Sequence, residues 1–80
     1  MPIFHLHLRN REIAAPDEEG HDLPDLAAAR AKALEGIRDY LGHEAMAGTL
    51  DLRGQIDIAD SAGTVLDTIH FKDAVTIVYP

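Results

Sequence analysis

The chain has no cysteine, no tryptophan and a single serine. Without cysteine there is no disulfide framework, no thiolate nucleophile and no cysteine-held zinc or iron–sulfur site. Aromatic residues are scarce too: Phe4, Tyr40, Phe71 and Tyr79 are too few for a base-stacking platform. Basic residues number 7 against 14 acidic ones, a net charge of −7 with histidine neutral. Arg9, Arg11, Arg30, Lys32, Arg38, Arg53 and Lys72 are scattered along the chain. Phosphate backbones are held by massed lysine and arginine, so nucleic acid is not an expected partner. No apolar run approaches a membrane span, and the opening residues lack the charged start and apolar stretch of a signal peptide. The expected setting is the cytoplasm.

What is present is ordinary globular sequence, 46% hydrophobic and 26% charged over 80 residues. That length accommodates one small domain, residues 1–80, burying only about 60–65% of its unfolded surface. A core of that size supplies little stability, so self-association is expected on size alone.

Hydrophobic periodicity orders the elements. From Ile3 to Arg9 the chain alternates, with Phe4, Leu6 and Leu8 on one face and His5, His7 and Arg9 on the other, which predicts a half-buried strand. A turn at Asn10–Arg11 leads to a short strand over 12–15 that Pro16 ends. The polar stretch Asp17-Glu18-Glu19-Gly20-His21-Asp22 is a loop, and Asp22 with Pro24 and Asp25 gives helix-start signals. The carboxylates around this point suit the positive end of a helix dipole.

The helix is predicted over 24–47, with Leu26, Ala29, Ala33, Leu34, Ile37, Tyr40 and Leu41 forming its apolar stripe and Gly48 its stop. Period two then returns. Residues 55–59 point Ile56 and Ile58 inward, Asp60-Ser61-Ala62-Gly63 turns the chain, and 64–71 returns with Val65, Ile69 and Phe71 facing the core. Residues 74–79 are strongly β-prone and read as a last edge strand, a tail or a surface for another subunit. The fold class is α+β: a small antiparallel sheet of four or five strands, in the order β-β-α-β-β, packed on one helix.

Few residues suggest chemistry. His5 and His7, two apart on a strand, project to one side, and His70 offers a third imidazole. No paired carboxylate motif accompanies them, and the solvent-facing strand is the better reading, so no metal or cofactor is assigned. Asp17 to Gly20 lacks the ligand spacing of a calcium loop. Ser61 has no nucleophile elbow around it. Once Met1 is removed, Pro2 would present a secondary amine, and small tautomerases use such a proline as a general base beside arginines, here Arg9, Arg11 and Arg38.

The strand end His7-Leu8-Arg9, the loop Asp17-Glu18-Glu19-Gly20, the helix start Leu23-Pro24-Asp25 and the Ala27-Ala28-Ala29-Arg30 run together resemble a bacterial family of short domains of unknown function. The hairpin residues Gly54, Ile56, Ile58, Asp60, Gly63, Val65 and Leu66, then Phe71 and Asp73-Ala74-Val75, fit the same pattern. The resemblance implies no activity. Its pattern has an aromatic where this chain has His5, so a joint metal role for His5 and His7 would belong to this chain alone.

The best functional expectation is a protein-interaction or regulatory module, self-associating or binding another protein through Val75, Ile77 and Tyr79. A proline-based enzyme acting through Pro2 is the first alternative. An acidic, antitoxin-like partner of a basic protein is the second.

Overall fold

A computed structural model describes residues 2–80. Its elements are β1 (Ile3–Arg9), β2 (Ala14–Ala15), β3 (His21–Asp22), α1 (Leu26–Met46), β4 (Gln55–Ala59), β5 (Val65–His70) and the short α2 (Phe71–Ala74). The strands form one antiparallel sheet in the order β2-β1-β4-β5, with β3 also paired to β1. The α+β arrangement of one main helix on an antiparallel sheet is thus observed.

The helix buries Ala29, Ala33, Ile37 and Leu41, spaced by four so that they fall on one stripe. Alanine at two of these positions lets the helix lie close to the sheet. The stripe meets Phe4, Ile56, Ile58, Ile69, Phe71 and Ala74 in a single core. No polar or charged residue is buried among the described residues.

The helix begins later than expected. Asp25, not Asp22, is the cap, its carboxylate accepting from the Ala28 amide at 2.8 Å. Asp22 pairs with Ile3 in the sheet, and the Leu23 amide donates to the Pro2 carbonyl at 3.2 Å. Pro24 disfavours helical geometry at Leu23, which keeps this approach extended. The first turn accordingly holds no acidic residue; Asp25 stands at the helix end as its cap, while the Asp17 carboxylate is held on the Leu6 amide of β1. At the other end Gly48 adopts φ 94°. The Gly48 and Thr49 amides close back on Ala45 and Glu44, a Schellman stop.

Three further differences have local causes. The strand expected over 12–15 shrinks to Ala14–Ala15, because the Asn10 side chain accepts from the amides of Glu12 and Ile13 and folds them into a turn. Val65, expected inward, is 54% exposed. A bulge pairs Ile58 with Asp67 but Ala59 with Val65, and the extra residue breaks the alternation. Phe71 is buried as expected, yet it starts α2 instead of ending the strand. Beyond α2, residues 75–80 form no strand, so the edge-strand option for this segment is not realised within the chain.

Candidate functional site

A dense polar arrangement lies along the edge of β1 that faces away from β4. β2 pairs with Leu8 and Arg9, and β3 pairs with Ile3 and Phe4. Between these pairings, residues 16–20 of the connecting segment bridge the part of β1 that carries His5, Leu6 and His7. The segment from Ala14 to Asp22 is therefore one interrupted partner strand with a wide loop in its middle.

Asp17 anchors that loop. Its carboxylate accepts from the Leu6 amide at 3.1 Å and from the Gly20 amide at 3.0 Å, replacing the ladder that the loop interrupts. The imidazole of His21 stands 3.2 Å from the same carboxylate. Burial works to raise the Asp17 pKa. The two amide donors and the charges of His21 and His5 outweigh it and hold the carboxyl below its ordinary value.

The backbone of Asp17 is read as well. His5 Nδ1 lies 2.7 Å from the Asp17 carbonyl, which can only accept, so His5 Nδ1 carries a proton. The Asp17 amide donates to His7 Nδ1 at 2.9 Å, so that nitrogen is bare and the neutral ring holds its proton on Nε2. The two rings stack nearly parallel, 6.0 Å apart and inclined by 15°. Opposite tautomers of two imidazoles thus clamp the N–H and C=O of one residue. Gly20 completes the fit at φ 78°, where an added Cβ would come within 2.5 Å of Ile3 and 3.0 Å of His5.

This accounts for His5 and His7 without a metal. Only His5 has a free ring lone pair in the neutral pair. His70 is exposed at the far end of the sheet, opposite Gln55, whereas His7 is opposite Asp57. No group of three potential ligands comes together among the described residues.

The remaining expected residues scatter. Met1 lies outside the described residues. Pro2 precedes β1 and Arg9 ends it, a separation of about 23 Å along an extended strand. Arg9 pairs with Asp57 at 3.0 Å, and Arg38 donates to the Ala74 carbonyl at 2.7 Å. Arg9 and Arg11 thus lie together at the opposite end of β1 from Pro2. Burial works to raise the Asp57 pKa, but hydrogen bonds from Gln55, Thr68 and Arg9 hold it below the ordinary value. Ser61 is exposed in the β4–β5 turn.

Val75 is half-buried against the core, while Ile77 is 44% exposed, Val78 85% and Tyr79 79%. Among the described residues β5 pairs only with β4, so its other edge meets no strand, and it exposes Val65 and Leu66. No helix is long and apolar enough to cross a membrane among the described residues.

Sequence reasoning placed His5, His7 and Asp17 in separate features, a strand face and a loop. Only the order of a short strand, a polar loop with one glycine and a return to β pairing hinted that the loop folds back onto β1.

No curated protein and no solved structure matches the chain. A family model described as Domain of unknown function (DUF6894) matches residues 3–72. That span contains every strand, the main helix and the Asp17 clamp, and it stops short of Val75, Ile77 and Tyr79. With most of its length and its whole sheet covered, the chain belongs to the DUF6894 family of domains of unknown function.

Proposed function

We propose that the chain is a cytoplasmic protein-interaction module that associates with a second copy of itself through Val75, Ile77 and Tyr79. The supporting observation is the pairing of an unpaired donor with an unpaired acceptor. Residues 75–80 carry no charge and are rich in β-branched side chains, and Val75 has extended geometry (φ −137°, ψ 154°). The outer edge of the six-residue β5 meets no other strand among the described residues and presents the backbone groups of alternate residues, the Thr68 amide being held by the Asp67 carboxylate at 2.8 Å. Adding such a segment to such an edge draws affinity from main-chain hydrogen bonds and specificity from alternate side chains. It also covers a surface that would otherwise promote aggregation.

The donor's own edge is a poor target. α2 turns the chain after β5, Ala74 is buried, and Arg38 holds its carbonyl against α1. The segment therefore leaves from the helix layer and not from the sheet. Exchange between two copies satisfies both edges by one two-fold operation.

Sedimentation equilibrium on the full chain and on a chain ending at Ala74 tests this reading. The full chain is expected to dimerise at micromolar concentration, and the shortened chain to stay monomeric with unchanged far-ultraviolet circular dichroism. A folded, shortened chain that still dimerises, or a full chain monomeric at 100-fold higher concentration, would reject it.

A further inference from the structure

The clamp on Asp17 contains an asymmetry independent of self-association. We infer that residues 16–20 form an acid-releasable strap over β1, held closed by neutral His7 and loosened when His7 takes up a proton. In the neutral ring the only bare nitrogen is Nδ1, and that nitrogen accepts the Asp17 amide. An added proton has nowhere else to go. It converts the acceptor into a donor facing another donor, and the hydrogen bond is lost.

The other two imidazoles of the cluster respond differently. His5 already donates from Nδ1 to the Asp17 carbonyl, and a second proton on Nε2 leaves that bond in place. His21, when protonated, strengthens its attraction to the Asp17 carboxylate. Of the three histidines that contact Asp17, His7 alone opens the strap.

Charges around His7 set the pH of release but not its site. From β1 it faces His5 and, further along the strand, Arg9; from the strap it faces Asp17 and Glu18, and the Asp17 carboxylate is in turn paired with His21 of β3. Across the β4 ladder stands Asp57, and Asp60 approaches from the β4–β5 turn. The carboxylates favour the imidazolium and the cations oppose it, yet whichever prevails, the proton lands on Nδ1.

Loosening the strap withdraws the Asp17 carboxylate from the Leu6 amide and frees the stretch of β1 between β2 and β3. A second sheet edge then becomes available at acid pH. Imidazole is the side chain whose charge ordinarily changes between about pH 5 and 8.

Nuclear magnetic resonance on the full chain reads both halves of this inference. The ¹⁵N resonances of the His7 ring at pH 8 should show a bare Nδ1 and a protonated Nε2. From pH 8 to pH 5, protection of the Asp17 and Leu6 amides from hydrogen exchange, referenced to the intrinsic rate at each pH, should fall about three- to tenfold. Its midpoint should coincide with the His7 titration. In His7→Asn, whose Oδ1 occupies the place of Nδ1 and does not titrate, the fall should vanish. A protonated Nδ1 at pH 8, protection that stays constant through the His7 titration, or an equal fall in folded His7→Asn would each overturn the inference. If His7→Asn does not fold, the ring resonances and the exchange profile of the unaltered chain decide alone.

Discussion

Replacing Phe71 with alanine is expected to cost about 3–5 kcal/mol, the range for removing a fully enclosed aromatic ring. Phe71 is among the largest side chains with no solvent exposure. Its ring meets Tyr40 at 5.6 Å between centroids, tilted by 48°, and its amide donates to the Gly54 carbonyl at 2.9 Å. A domain of this length is stable by roughly 4–12 kcal/mol in total, so Phe71→Ala should leave a marginal fold. The midpoint of urea unfolding, followed by circular dichroism, measures the loss. A cost below about 1 kcal/mol would mean that the ring does not bind α2 to the core.

The same contact predicts an unusual coupling. A Cβ on Gly54 would fall 2.3 Å from the Phe71 ring, closer than atoms can approach, so Gly54→Ala should destabilise by about 1–3 kcal/mol through overpacking. In the double variant the intruding methyl meets a vacated space. The two costs should therefore add to less than their sum, whereas independent sites would add. Full additivity would disprove the contact.

Asp17→Ala is the second large effect, at about 2–3 kcal/mol near pH 8. The substitution leaves the Leu6 and Gly20 amides without their acceptor and His21 without its partner. Asp17→Asn keeps one oxygen and should lose less.

The pH profile separates charge from shape. The folded-state pKa of Asp17 is lowered, so its stabilisation is fully present above the unfolded carboxyl value of about 3.9 and is lost as pH falls through the lower folded value. The unaltered chain should consequently lose stability on acidification below about pH 5 more steeply than Asp17→Asn. Parallel stability curves over that window would show that the carboxylate charge contributes nothing.

The helix and the β4–β5 hairpin were legible because both follow local rules. Ala29, Ala33, Ile37 and Leu41 repeat at helical spacing, and Gly48 could supply the positive φ that ends the helix. In the β4–β5 turn, Asp60 accepts from the amides of Ala62 and Thr64 while Gly63 takes φ 87°, both short-range preferences. Where Val65 misled, one residue of bulge reversed the faces, and strand alternation carries no warning of a bulge.

The candidate site was barely legible. His5 and His7 alternate outward as expected, but their Nδ1 partners come from Asp17, ten and more residues away. Periodicity reports which way a side chain projects and says nothing of which loop returns to meet it. The helix-start reading of Asp22 failed for a related reason. Its local signals were sound, but pairing with Ile3 claimed the residue first, and a ladder formed across the chain overrides a capping preference.

By itself, then, the amino-acid order determined the layer architecture, the buried stripe, the turn glycines and the absence of thiol chemistry. Those features depend on spacing and on intrinsic residue preferences, which act within a few positions. Tertiary structure alone decided that Asp17 becomes the hub of the β1 edge, that the two imidazoles take opposite tautomers, and that Phe71 closes against Gly54. Each of these depends on atoms from distant segments meeting at hydrogen-bond or van der Waals distance, a condition that exists only once the sheet has formed.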